Sequence, residues 1–139
     1  MLESVLIFAM TTILAAEIPK DVQKGYATLL NDTVKDGKVD YATIESKHKA
    51  ALDAFLNAAA ASTEPADANE ALGMYIDTYN AIVIKAVLNA KLPVQVLKVP
   101  GFFDKTTWKV AGKDVTLDAL EKTVIKQVAK ADPRTHMVL

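Results

Sequence analysis

The amino-acid sequence predicts an α+β fold: a mostly helical single domain with one β-hairpin, about Thr107–Thr116, packed on a central buried helix, about Asn69–Ala90. Three observations carry this. The run NEALGMYIDTYNAIVIKAVLNA is apolar around most of a helical wheel, which marks a helix covered by neighbours on most sides. Trp108 to Leu117 alternates apolar and polar residues on either side of Gly112-Lys113, the pattern of two strands and a tight turn. Elsewhere, apolar residues recur at helical spacing in segments bounded by Pro, Gly and Asp.

In chain order, Asp21 to Lys35 reads as a helix after Pro19, with Val22, Tyr26, Leu29, Leu30 and Thr33 on one face. Asp36-Gly37 ends it, Gly37 serving as a left-handed cap. Asp40 is a suitable N-cap for a second helix over about Tyr41–Ala61. Its apolar face includes Tyr41, Ile44, His48, Leu52, Phe55 and Ala59. Ser62 to Ala68 is a polar loop. On the central helix, Leu72, Ile76, Tyr79, Val83, Ala86 and Val87 form a wide apolar arc, and Thr78, Lys85 and Asn89 a narrow polar stripe. Asp77 and Asn80 interrupt the apolar side three residues apart and are expected to form a buried polar pair. Gly101 to Asp104 is a turn carrying Phe102 and Phe103 inward.

The hairpin follows. A type II′ loop at Gly112-Lys113 pairs Ala111 with Asp114, Val110 with Val115 and Trp108 with Leu117, placing all four large apolar residues on one face. A last helix runs over about Asp118–Ala131, striped by Leu120, Val124, Ile125 and Val128, and Asp132-Pro133 stops it.

Composition narrows the function. The chain has 139 residues, no cysteine and a net charge of −1 with both signs interspersed. No basic stripe points to nucleic acid. The chain after the N-terminal run is expected to have no membrane span. No disulfide, thiol nucleophile or Cys-ligated zinc can form from these residues. His48 and His136, the two histidines, make a poor metal set, and no P-loop or dinucleotide spacing occurs, so no cofactor is expected. Val5 to Ala16, VLIFAMTTILAA, has the length of a signal-peptide core, with Ala15 and Ala16 at a cleavage position. The expectation is a leader over residues 1–16 and a periplasmic or extracellular domain over 17–139.

Several short pieces occur in order: Val39-Asp40-Tyr41, Tyr79-Asn80-Ala81, Gly101-Phe102-Phe103, Trp108-Lys109-Val110-Ala111-Gly112-Lys113, Leu117-Asp118-Ala119-Leu120-Glu121 and Asp132-Pro133-Arg134-Thr135-His136. Together they resemble the domain of unknown function 547 family over roughly Tyr26 to Leu139. The resemblance implies an exported protein, and a family domain that continues past the His-containing segment into a cysteine-bearing stretch. By that comparison this chain reads as a member truncated at its C-terminus, whose incomplete edge exposes an apolar patch and favours self-association. The family pattern has Asn at Asp77, His at Lys122 and Arg at Lys126.

Five residues are site candidates. Glu121 falls inside the apolar arc of the last helix. It is either the third-position partner of an Asp118 capping box or a carboxylate held in a pocket for proton transfer. His136 matches the family's histidine and pairs with Glu121 as the catalytic candidate. Asn80, Asp77 and Arg134 are the binding candidates, Arg134 as a partner for a carboxylate or a ligand anion. His48 reads as a core histidine with a satisfied ring, and Tyr41, Tyr75, Tyr79, Phe102, Phe103 and Trp108 as core aromatics. Two functions follow: a binding or interaction module for a small molecule or protein, or a hydrolase or acyl-transfer enzyme built on Glu121 and His136.

Overall fold

The computed structural model describes residues 16–130. Helix α1 (Lys20–Thr33) buries Tyr26, Leu29 and Thr33. It does not end in a glycine cap. Asp36 and Gly37 both take positive φ (51° and 70°) and form a two-residue type I′ turn between strands β1 (Val34–Lys35) and β2 (Lys38–Val39). This second small hairpin adds to the one expected. Asp40 then caps α2 (Tyr41–Thr43), accepting from the Thr43 amide at 3.0 Å and the Thr43 hydroxyl at 2.7 Å. A π-helical turn, Ile44–His48, leads into α3 (Lys49–Ala61).

The central helix α4 (Ala68–Asn89) is capped by Asp67, whose carboxylate accepts from the amides of Asn69 and Glu70. It is long and apolar enough to cross a membrane by length and composition, but here it separates two apolar clusters. On one side Ala81 and Ile84 meet Tyr26 and Leu29 of α1, with Leu52, Phe55 and Ala59 of α3. On the other, Tyr75, Tyr79 and Ile82 meet Phe102, Val110, Leu117, Leu120 and Ile125. The expected polar stripe is corrected at Thr78, which is buried because its hydroxyl donates to the Met74 carbonyl one turn back at 2.7 Å. Ile76, Leu72 and Val83 of the expected arc are only half-buried. Asp77 is exposed, so the buried Asp77/Asn80 pair is also corrected.

Helix α4 closes with both bonds of a Schellman motif: Leu92 N–H to Val87 O and Lys91 N–H to Leu88 O, each 3.1 Å. Lys91 occupies the left-handed position (φ 59°) where glycine is usual. The connector beyond it exposes Leu92, Val94 and Leu97 around a 3₁₀ turn, Val96–Lys98.

Strands β3 (Thr107–Val110) and β4 (Lys113–Thr116) pair Trp108 with Val115 and Val110 with Lys113. The loop is Ala111-Gly112, both at positive φ, and not Gly112-Lys113. Each partner has shifted by two residues. A two-residue shift keeps every side chain on its face, so Trp108, Val110, Val115 and Leu117 still share one side. The turn is fixed from outside the hairpin. The Ala111 and Gly112 amides donate to the carbonyls of Ala59 and Ala60, 2.9 Å each, satisfying the C-terminal end of α3.

The last helical segment consists of α5 (Leu117–Ala119), a π-helical stretch Leu120–Ile125 and α6 (Lys126–Val128). Its cap is Thr116, whose hydroxyl oxygen accepts from the Ala119 amide at 3.1 Å. The Asp118 cap expected from sequence is thereby corrected.

Candidate functional site

With Thr116 as N-cap, the third helical position is Ala119, and Glu121 lies beyond the first turn. The capping-box role of Glu121 therefore falls away. Glu121 is half-buried within the π-helical stretch, a helix variant that recurs at functional sites. It stands on the side of α4 that carries Tyr79. The Tyr79 hydroxyl is pushed above its ordinary pKa by burial first, then by the charges of Glu121 and Asp118. Asp118 is tied down by its amide, which donates to Phe103 O at 2.9 Å. Asn80, next to Tyr79, is half-buried. Arg134 and His136 lie outside the described residues.

Asp77 faces elsewhere. It lines a cleft of about 790 Å³ between α1 and the N-terminal half of α4. Both helices pack on α3, which supplies Phe55 to the cleft lining. Glu70, Gly73, Met74 and Asp77 present one stripe of α4 to it, at spacings of three and four. Lys20, Gln23, Lys24, Ala27 and Leu30 present the facing stripe of α1. At the base, Tyr26 stacks on Phe55 with ring centroids 4.2 Å apart and planes 18° from parallel. One end is shaped by the segment before α1, where the Gln23 side-chain amide donates to Ile18 O at 2.7 Å.

The electrostatics of the cleft centre on Asp77. Partial burial raises its carboxyl above the usual carboxylate range. Tyr26 is raised too, by burial first and then by the Asp77 charge. Its hydroxyl makes a long 3.5 Å contact to the Asp77 carbonyl. The structure thus divides the sequence candidates: Glu121 joins Tyr79 on one side of α4, while Asp77 joins Tyr26 on the other.

Sequence reasoning missed Tyr26, Gln23 and Gly73 as site residues. One signal was available. Gly73 stands inside a 22-residue helix, where glycine costs about 1 kcal/mol relative to alanine. No packing requires it, since an added Cβ would meet nothing within 4 Å. His48 is half-buried and not in the core, and its ring is satisfied by an Asp32 Oδ2 atom 3.1 Å from Nε2. Among the described residues no group of three or more His, Asp or Glu is placed to hold a metal.

The fold is a two-core helical α+β domain with a ligand-sized cleft on one side of its central helix. A family model described as "Protein of unknown function, DUF547" matches residues 63–139, and the chain belongs to that family. The match begins at Thr63, so it holds α4, strands β3 and β4 and all five sequence candidates, and leaves α1 to α3 and the β1–β2 hairpin outside. No curated protein matches the chain. No solved structure matches it.

Proposed function

We propose that this domain is a binding module for a small organic molecule, taken up in the cleft between α1 and α4. The carrying observation is the cleft wall itself. Two helical stripes face each other across about 790 Å³, and Gly73 keeps the α4 wall free of a side chain. That size suits a small ligand, and the lining mixes apolar side chains such as Leu30 and Met74 with charged ones such as Lys20, Lys24, Glu70 and Asp77. Amide NMR shifts during titration with a fragment library test the reading. Shifts are expected to gather at Gly73, Asp77 and Tyr26, and Gly73→Phe is expected to abolish them. Shifts that gather elsewhere, or that survive Gly73→Phe, refute it. The apolar run Val5–Ala16 supports placing the module outside the cytoplasm. N-terminal sequencing of the product from an exporting host checks this, and a retained Met1 rejects it.

A second reading is favoured by one observation: Glu121 is not the helix-capping partner, and its charge acts on the Tyr79 hydroxyl. In that reading Glu121 serves a hydrolase or acyl-transfer site with His136. Esterase and amidase substrates turned over by the native chain but not by Glu121→Gln would support it. Equal turnover by both would dismiss it.

A further inference from the structure

We propose that the connector leaving α4, Leu92 to Val99, docks this domain on an anionic lipid bilayer, its exposed apolar side chains entering the interface and its lysines meeting the lipid headgroups. The inference is independent of the α1/α4 cleft.

The connector carries an apolar tip without a cover. Among the described residues the large hydrophobic side chains left exposed are Val34, Leu92, Val94 and Leu97, and three of these four fall within one six-residue stretch. Val94 is 100% exposed and Leu97 86%. The backbone holds them out. Val96 and Val99, three apart around the 3₁₀ turn, pack against the cluster that contains Phe102 and Leu120. Leu97 and Lys98, between them, are left facing solvent. A loop entering a bilayer interface is penalised for each amide without a partner. Here the amides of Leu92, Lys98 and Val99 donate within the chain, and Pro93 has none to satisfy.

Charge selects the partner. Every charged residue between Asp77 and Asp104 is a lysine: Lys85, Lys91 and Lys98. Lys85 is paired with Asp53 at 2.7 Å, whereas Lys91 and Lys98, which bracket the tip, form no ion pair among the described residues. Glu45 lines a groove with Lys91 and Leu92 but is itself paired with Lys49 at 3.9 Å. A second copy docking through the same patch would set these lysines against their own counterparts, because a two-fold interface is self-complementary. An anionic bilayer presents the opposite sign above an apolar interior. Lysine stems can lie along that interior with their ammonium groups at headgroup level.

The chain has no cysteine, so one environment-sensitive thiol dye can be placed at will. Gln95→Cys puts it on the exposed tip between Val94 and Leu97. In a second sample Asn69→Cys puts it at the other end of α4, roughly 30 Å away along the helix. The N-terminal apolar run joins the fold near that end, where Ala16 O accepts from the Thr63 amide at 2.8 Å, so the Asn69 dye reports insertion by that run. The full chain is titrated at low salt with vesicles of phosphatidylcholine, or of phosphatidylcholine and phosphatidylglycerol in equal parts. Emission from the Gln95 dye is expected to shift to the blue on the anionic vesicles only. Val94→Ser with Leu97→Ser, and separately Lys91→Gln with Lys98→Gln, are each expected to raise the lipid concentration at half-shift about tenfold. Unchanged urea midpoints confirm that these exposed substitutions leave the fold intact. No shift at Gln95, a shift at Asn69 alone, an equal shift on both vesicles, or a shift that survives both double variants overturns the proposal. A Gln95 shift that grows with protein concentration in the absence of lipid assigns the patch to a second copy and overturns it as well.

Discussion

Replacing Gly73 with alanine tests whether the cleft is open. Glycine within a helix costs about 1 kcal/mol against alanine, through backbone entropy lost on folding. A tight contact can offset that cost, but here a Cβ would meet nothing within 4 Å. The whole propensity difference should therefore be recovered, and Gly73→Ala should stabilise the domain by about 0.8–1 kcal/mol. For a domain of this size that is a rise in Tm of roughly 3–6 °C. Urea denaturation followed by circular dichroism gives the free energy, with an unchanged m-value expected. Gly101→Ala is the opposite control. Gly101 has φ +73°, and its Cβ would stand 2.9 Å from Lys105 Cβ, so this variant should lose more than about 1 kcal/mol. A Gly73→Ala variant that is neutral or less stable would mean that something occupies the space beside Gly73, and the cleft would fail as a binding site.

Three further outcomes follow from particular contacts. Thr116→Ala should cost about 1 kcal/mol by thermal or urea unfolding, because it removes the N-cap bond to Ala119. Asp118→Ala should cost much less, since among the described residues its side chain makes a 3.6 Å surface pair with Lys122. Lys91→Gly should stabilise by up to about 1 kcal/mol, relieving a left-handed lysine while keeping both Schellman bonds. Asp77→Asn should act with a pH-dependent sign. The folded carboxyl is raised, so it favours the protonated form, and its ionisation opposes folding as pH rises through that raised value. The amide variant should thus gain stability relative to the native chain between pH 3 and pH 7, by at most about 1 kcal/mol after solvent screening.

What could be read from the sequence was the pattern of each element, and what could not was the contact that adjusted it. The Asn69–Ala90 run identified the core helix because burial on two sides demands apolar residues all round. The same pattern misplaced Thr78, whose hydroxyl satisfies itself within the helix and so needs no solvent. The hairpin face was legible, because alternation survives a two-residue shift. Its turn was not, because Ala111 takes a left-handed conformation to reach carbonyls of α3 some fifty residues earlier. Asp36-Gly37 shows the same limit locally: a helix end and a type I′ turn both call for Asp-Gly. The cleft was least legible. Its walls come from two helices, α1 (Lys20–Thr33) and α4 (Ala68–Asn89), that are brought together through the packing of each on α3, which no single stretch records.

Glu121 shows how one such adjustment changes a functional argument. From sequence, Asp118 and Glu121 fit a capping box, which accounts for a carboxylate in an apolar arc without any site. The fold moves the start of the helix back by two residues. Thr116 is still paired with Thr107 across the hairpin when its hydroxyl oxygen takes the Ala119 amide. Leu117 can then be fully buried as the first helical residue. Once the helix begins there, Glu121 is too far along to reach the cap, whatever its rotamer. The hydrophobic demand of Leu117 therefore decides the role of Glu121. The two readings now make opposite demands on stability. A carboxylate serving a structural bond should lose stability in Glu121→Gln. One kept for chemistry should leave stability equal or improved while any turnover is lost, and urea unfolding alone separates the two.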